Sequence, residues 1–338
     1  MKFGLAVQQL DKVIALSRVE MYKPIQIAET LREFTLNRSF TPTSLEAFRS
    51  LSRDLRNKVT LELIGKVSTS SMRYQDDVWN ASALPPAALS TLASSNCHHE
   101  VEEYIYQHVY AKSLQMIEIR KSLDEIKTAE EVKDIFRLFD TPGLRSSADR
   151  LFEVFALAVL QTQIEKSNFT FNLSGDSKSI PGLTGKKLIS IALGESNHLK
   201  LAKMGHTNAA DAGLDIWTNF GVVVSVKNYF LSLDLLRKVL DDTPVGLLVV
   251  ICESTNSIVE KELKRIANER EVVLITSEEL LMDVELLLRD SYLSAAFINK
   301  LINFYDREFP LAVTLEGFMK QRRYKIALPG LLAQHMMS

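Results

Sequence analysis

A chain of 338 residues is long enough for one large domain or two ordinary ones, and its 46% apolar and 24% charged content is typical of a soluble globular protein. No apolar run reaches the ~18 residues of a membrane span, and the presence of only Cys97 and Cys252 favours a reducing cytoplasm over a disulfide-bonded setting. The formal net charge of −2 argues against a protein that is basic throughout, although a local basic cleft remains compatible with it.

Residues 1–143 are predicted to form a mainly helical N-terminal region. Its polar stretch Ser68–Asp77 contains Arg73 and Gln75, whose side chains suit contacts with phosphates or base edges. An ordinary surface loop explains the same composition equally well. Apolar residues at helical spacing predict the helices Phe3–Val19, Ile25–Phe34, Leu45–Ile64, Glu100–Ile126 and Ala129–Phe139.

A strong helix is predicted over Ala148–Lys166, after a boundary near Thr141–Gly143. Its stretch Leu151–Leu160 is apolar on every side except at Glu153, which predicts a buried helix. A carboxylate there needs a partner, because burying an unpaired charge is costly. Either a neighbouring arginine pairs with Glu153, or Glu153 lies close to a metal site.

Strands and helices alternate in the rest of the chain, which predicts an α/β fold with a central mixed β-sheet flanked by helices. The predicted elements are a strand Asn168–Leu173, a helix-like segment Lys186–Met204, a hairpin Gly213–Lys227, a helix Leu231–Leu240, a strand Gly246–Cys252, a helix Ser257–Arg270, a strand Glu271–Ile275 and a helix or helix pair Glu278–Tyr305. The run Gly246–Cys252 is apolar without interruption, which is typical of a strand buried on both faces.

The predicted hairpin places chemically active side chains together. Its turn is Asn219–Gly221, so the period of two along each strand brings Asp215 and Lys227 to one end, with Ser225 beside them. A carboxylate and an ammonium group on neighbouring apolar strands indicate a site for a metal and a phosphate. A structural lysine at the end of a strand is the alternative.

This D…SxK pattern resembles the PD-(D/E)xK nuclease motif, with two departures. Leu214 stands where the motif usually has Pro, and Ser225 stands where it usually has an acid. The wider phrases TNAADAGLDIWTNFG and SVKNYFLSL around the hairpin resemble the HaeII-type restriction endonucleases. The phrases SRVEMYKPIQIAE (Ser17–Glu29) and GKVSTSSMRYQD (Gly65–Asp76) resemble the same family.

The resemblance implies a type II restriction endonuclease that makes Mg²⁺-dependent double-strand cuts at a short palindromic DNA sequence, acting as a homodimer. A cognate DNA methyltransferase is expected in the same system but not as a bound subunit. The implied catalytic residues are Asp215, Lys227, Ser225 and Glu153. The implied metal ligands are Asp215, Asp241 and Glu153, with Asp242 and Glu253 as further candidates. The expected DNA contacts are Arg73, Gln75, Asn208, Asn219 and Asn228.

The predicted domains are therefore the helical region 1–143, a PD-(D/E)xK-like catalytic core 144–310 and a basic C-terminal tail 311–338. The tail either contacts DNA or is simply solvated, and its cations are Lys320, Arg322, Arg323 and Lys325. Two other functions remain open. One is a different PD-(D/E)xK nuclease, for DNA repair or for restriction of modified DNA. The other is a DNA-binding protein with a degenerate nuclease core, since Ser225 removes a usual ligand.

Overall fold

The structure is a computed structural model, and it describes residues 1–37, 45–68, 78, 84–141, 143–174, 201–203, 215–218, 222–243, 247–266, 271–309 and 312–328. Within these residues the fold is mixed α/β and rich in helix, as the sequence predicts. The chain divides into two compact units. The helical unit comprises Met1–Lys121, Leu138–Ser147 and Phe309–Ser338, and the sheet-containing unit comprises Ser122–Arg137 and Ala148–Glu308.

The segment after Phe309 is grouped with the N-terminal helices in the helical unit, and its described residues 312–328 contribute to a folded core. In that core Leu315, Phe318, Met319 and Tyr324 are buried in one cluster with residues of the first helices. Apolar side chains at helical spacing explain this placement, since they can leave water only against another element.

The helices of the described residues are numbered in chain order. They are α1 Phe3–Leu16, α2 Tyr22–Leu36, α3 Leu45–Ile64, α4 Pro86–Ser94, α5 Glu100–Asp124, α6 Ala129–Phe139, α7 Ala148–Ser174, α8 Leu233–Asp242, α9 Ser257–Ile266, α10 Ser277–Arg289, α11 Ser291–Glu308 and α12 Leu315–Gln321, with a 3₁₀ turn at Arg145–Ser147 before α7. None of these described helices is long and apolar enough to cross a membrane.

In the described part of the chain, five strands form one mixed sheet in the order β1-β2-β3-β4-β5. They are β1 Leu201–Lys203, β2 Ile216–Thr218, β3 Val223–Leu231, β4 Leu247–Thr255 and β5 Glu271–Thr276. β1, β2 and β3 pair in antiparallel fashion, whereas β3, β4 and β5 are parallel. The parallel half needs helical crossovers, which α8 and α9 supply.

The interior of the sheet lies around β4, whose apolar run is buried on both faces as predicted. Leu248, Val250 and Cys252 share one face and form a cluster with side chains of α8 and α9. Val249 and Ile251 point to the opposite face and are 0% exposed. Helices α7 and α10 also pack against this sheet.

Side-chain caps stabilise the N-termini of α10 and α11. Thr276 ends β5 and caps α10, because its hydroxyl accepts a hydrogen bond from the Glu279 backbone while the Glu279 carboxylate accepts one from the Thr276 backbone. Asp290 then separates α10 from α11 by accepting the backbone N–H groups of Tyr292 and Leu293 at 3.0 and 3.1 Å. The predicted long segment Glu278–Tyr305 is therefore a helix pair.

Two predicted elements are wrong. The residues Asn168–Leu173 were predicted as a strand, but α7 continues through them to Ser174. Extending an existing helix costs no new nucleation, and no Gly or Pro interrupts the chain before Gly175, so the alternating phenylalanines do not impose a strand. The last residues of the predicted helix-like segment, Leu201–Lys203, instead form β1, because pairing with β2 supplies their backbone partners.

Candidate active site

The antiparallel β2–β3 pair positions the candidate site. Ile216 lies opposite Val224, and Trp217 lies opposite Val223. The same register places Asp215 opposite Ser225. The Asp215 backbone N–H donates to the Val224 carbonyl at 3.0 Å and extends the ladder by one residue. The register between β2 and β3 therefore places the Asp215 carboxylate on the face of the sheet that carries Ser225 and Lys227.

Three donors of β3 converge on one oxygen of Asp215. The Lys227 ammonium lies 3.2 Å from Oδ2. The Val226 backbone N–H donates to Oδ2 at 2.6 Å, and the Ser225 hydroxyl lies 3.5 Å from it. The carboxylate is thus held by the strand that carries the lysine, so the two charged groups form one rigid unit.

Little water reaches this pair. The side chain of Asp215 is 8% exposed and that of Lys227 is 18% exposed, while Ser225 is completely buried. A charge pair in such surroundings interacts more strongly than one in bulk water, and removing either partner leaves the other poorly solvated. The larger remaining exposure of the pair is on the side chain of Lys227.

The second oxygen of Asp215 suits a cation. Within the part of the chain that the structure describes, the donors to the Asp215 carboxylate all contact Oδ2 and none contacts Oδ1. One carboxylate oxygen fits Mg²⁺, which is commonly bound by one or two carboxylates, retained waters and substrate phosphates. The described residues contain no group of three or more His, Cys, Asp or Glu side chains that could form an all-protein metal cage.

Tyr229 and Asp149 belong to the surroundings of the pair, although sequence reasoning missed both. Burial raises the pKa of the Tyr229 phenol, and the nearby carboxylates of Asp149 and Asp215 raise it further, as does Cys252. Tyr229 is half-buried on β3, whereas Asp149 is exposed in the first turn of α7, which packs against β3. Tyr229 could have been found from the sequence, because it follows Lys227 by two residues and side chains two apart on a strand share a face. Asp149 had no such signal beyond its place at the start of α7.

The other predicted acids lie on the same unit as the pair. Glu153 is half-buried on α7, and its neighbour Arg150 has its Nε 3.5 Å from Oε1 of Glu308. Asp241 and Asp242 are exposed in the last turn of α8, and Glu253 is exposed near the end of β4. Among the described residues, the hydrogen-bond partners of Asp215 all lie on β3.

The predicted DNA contacts are only partly within the described residues. Asn228 is half-buried on β3, directly after Lys227. The predicted contacts Arg73, Gln75, Asn208 and Asn219 lie outside the described residues.

Comparison with known proteins agrees with the resemblance seen in the sequence. The sequence profile of the family described as HaeII restriction endonuclease matches residues 6–324. The chain is 29% identical to "Type II restriction enzyme HaeII" from Haemophilus aegyptius, over 96% of this chain and 97% of that protein. It is 28% identical to "Type II restriction enzyme NgoBI" from Neisseria gonorrhoeae, again over 96% and 97% of the two chains. No solved structure matches this chain. The chain therefore belongs to the HaeII restriction endonuclease family, whose members are site-specific deoxyribonucleases.

Proposed function

We propose that this protein is a Mg²⁺-dependent type II restriction endonuclease that cuts both strands of a short palindromic DNA sequence, with Asp215 and Lys227 at its catalytic centre. The single observation that carries the assignment of the centre is the ion pair of 3.2 Å between these residues on neighbouring strands. Membership in the restriction endonuclease family supports the DNA substrate.

The order of elements supports a PD-(D/E)xK-like core. The described elements occur along the chain as a helix α7, three antiparallel strands β1, β2 and β3, a second helix α8 and a parallel strand β4, with residues 175–200 and 204–214 outside the described part. In such a core an Asp begins the second strand and a Lys stands on the third. Asp215 directly precedes β2 and Lys227 lies on β3, which agrees with that arrangement.

The residues of the pair have distinct tasks in phosphodiester hydrolysis. Lys227 donates hydrogen bonds to a phosphate oxygen or to the attacking water and stabilises the negative charge that develops in the transition state. Oδ2 of Asp215 fixes the ammonium group, and the Val226 N–H fixes Oδ2. Oδ1 of Asp215 would hold the cation. When bound, Mg²⁺ supplies a Lewis acid for the phosphate and lowers the pKa of a coordinated water.

A second carboxylate has to come from outside the SxK sequence, since Ser225 carries no charge. Glu153 and Asp241 were the candidates from the sequence, and Asp149 joins them because its carboxylate and that of Asp215 both act on the Tyr229 phenol. We assign the role to Asp149. Its position at the start of a helix that packs against β3 allows it to approach the hairpin, and its exposure leaves its oxygens available.

The remaining parts of the proposal concern DNA recognition and assembly. A palindromic site is matched by a two-fold symmetric homodimer, which is the assembly we propose. Residues 1–143 contribute to the DNA-reading surface, with Arg73 and Gln75 as base contacts and Asn208, Asn219 and Asn228 as contacts near the hairpin. The setting is the cytoplasm, where a cognate methyltransferase protects the host DNA.

Digestion of a sequenced plasmid tests the proposed function directly. With Mg²⁺ the protein is expected to give discrete fragments whose mapped ends share one short palindromic sequence, and with EDTA it is expected to give none. Random ends would indicate a nuclease without site specificity.

The buried hydroxyl of Ser225, at the position of the usual acid, favours one competing function, a DNA-binding protein with a degenerate nuclease core. Such a protein would bind the plasmid in Ca²⁺ and leave it intact in Mg²⁺. The same digestion therefore separates the two functions.

A further inference from the structure

Arg323 occupies a backbone position that usually belongs to glycine. Helix α12 ends in a Schellman motif, in which the Arg323 N–H donates to the Lys320 carbonyl at 3.0 Å and the Tyr324 N–H donates to the Met319 carbonyl at 2.9 Å. The residue after the C-cap of this motif takes the left-handed conformation, and Arg323 does so with φ of 60°. A side chain at that position strains the backbone, whereas glycine would not.

The described residues contain two other non-glycine residues with positive φ, and the fold explains the side chain of each. Met21 (φ 54°) is 1% exposed and lies in the core of the helical unit. His99 (φ 69°) has its Nδ1 2.9 Å from Oε1 of Glu102. Arg323 is different, because its side chain is exposed to solvent. A position with left-handed backbone therefore carries an exposed arginine, and neither burial nor an ion pair with a described residue explains its side chain.

The residues on both sides hold Arg323 in place. Nη2 of Arg322 donates to Oε2 of Glu29 at 3.0 Å, and the same guanidinium stacks 4.1 Å above the ring of Phe318. Tyr324 is 5% exposed, and its hydroxyl donates to Glu102. The backbone of Arg323 is thus fixed between two anchored residues, which pre-organises the exposed charge between them.

The sequence around Arg323 is rich in cations. From Gly317 to Ser338 it contains Lys and Arg but no Asp or Glu. Arg322 pairs with Glu29 and the exposed Lys320 lies 3.7 Å from Glu316, whereas Arg323 and Lys325 are exposed. This is a cationic surface on a chain whose net charge is −2. Cations also favour a helix C-terminus, so a purely structural role for Arg323 has to be distinguished by experiment.

We propose that Arg323, flanked by Lys320 and Lys325, forms a pre-organised cationic cap that contacts a phosphate of the DNA backbone. The inference rests on the proposed function and adds a sequence-independent contact from the C-terminal segment of the helical unit. Such contacts fix the position of a protein on the duplex and release counterions, but they do not read bases.

Arg323→Gly separates the two roles of the residue, because it removes the charge and at the same time relieves the backbone strain. The experiment measures the dissociation constant of the full chain for a random-sequence duplex, in Ca²⁺, over a range of salt concentrations. We expect the magnitude of the slope of log K against log salt to fall by about 0.9 for each protomer in contact. We expect binding at 0.1 M salt to weaken by roughly threefold to tenfold. Thermal unfolding of Arg323→Gly should occur at the wild-type temperature or above it.

Two control variants sharpen the measurement. Arg323→Lys keeps the charge and should keep most of the slope. Arg137→Gln removes another exposed arginine, one that is paired with Glu130 and Asp134, and it should leave the slope unchanged. The inference is overturned if wild-type protein cleaves DNA while Arg323→Gly keeps the wild-type slope, or if Arg137→Gln lowers the slope equally. If wild-type protein neither binds nor cleaves DNA, the proposed function fails together with this inference.

Discussion

Lys227 and Asp215 lie twelve residues apart in the sequence, yet Nζ of Lys227 is 3.2 Å from Oδ2 of Asp215 across a β-hairpin. The same oxygen accepts the Val226 N–H, so the carboxylate is bound to the strand that carries its lysine partner. The orientation of this pair is therefore set by backbone pairing between β2 and β3, and the side chain of Lys227 is 18% exposed.

We expect Asp215→Asn and Lys227→Met each to lower the rate of DNA cleavage by roughly 10²–10⁴-fold, because each removes a charge that acts on the reacting phosphate. The measurement is cleavage of a plasmid in Mg²⁺ under single-turnover conditions, with circular dichroism to establish that the variants are folded. The exposed residues of α8 offer matched controls, Asp234→Asn and Lys238→Met, which should cut at the wild-type rate. A folded Asp215→Asn or Lys227→Met protein that cuts as fast as wild type would remove the pair from the catalytic centre.

We expect Asp149→Asn to raise the Mg²⁺ concentration needed for half-maximal cleavage by at least about tenfold, because it removes the second carboxylate of the proposed cation site. Calorimetric titration of the DNA complex with Ca²⁺ gives a readout that does not depend on turnover, and it should show weaker binding. Glu153→Gln and Asp241→Asn are the comparison variants. Unchanged Ca²⁺ affinity in Asp149→Asn, with a loss in either comparison variant, would reassign the ligand.

We expect Arg322→Met to lower the free energy of unfolding by about 3–5 kcal/mol, since it leaves the buried Glu29 carboxylate without its cation. The side chains of Glu29 and Arg322 are 6% and 16% exposed. Chemical denaturation measures the change, and the double variant with Glu29→Gln should be less destabilised than the sum of the single variants. Lys320→Met, at an exposed site on the same helix, should change stability by less than about 0.5 kcal/mol. Additive effects of Arg322→Met and Glu29→Gln would show that the two side chains do not interact.

The stability of the helical unit should depend on pH through Lys112. Burial lowers the pKa of Lys112 to about 8 from its ordinary 10.5, and its ammonium donates to the Gly143 carbonyl. Between these two values the unfolded chain binds the proton that the folded chain has released, so the folded state gains stability as pH rises. The cost of burying the charge is fully present below pH 8 and is relieved by about pH 10.5.

Lys112→Met isolates this effect from the tyrosines that titrate in the same range. The unfolding free energy of wild type minus that of Lys112→Met should increase by up to roughly 3 kcal/mol between pH 8 and pH 10.5. Denaturation curves at both pH values measure it. A difference that stays constant with pH would show that Lys112 keeps its ordinary pKa in the folded protein.

Local patterns in the sequence were sufficient for much of the fold. The uninterrupted apolar run of β4, the helical spacing of α3 and α6, and the hairpin around Asp215 and Lys227 all follow from periodicities within one or two elements. The hairpin could be predicted because a period of two fixes which side chains share a face, and a tight turn fixes which residues meet. The catalytic role of Asp215 and Lys227 stays a prediction.

Strand pairing and the contacts between distant residues depend on the tertiary structure, because the local periodicities carry no information about them. Whether Asn168–Leu173 continues a helix or begins a strand depends on which backbone partners are near, and the paired strand is Leu201–Lys203 instead. The approach of Asp149 to Tyr229, and the burial of Arg322 against Glu29, join residues that are distant in sequence. The strength of an electrostatic interaction depends on distance and solvent exposure, and only the packing of α7 on β3 and of the C-terminal segment on α2 and α5 sets these quantities.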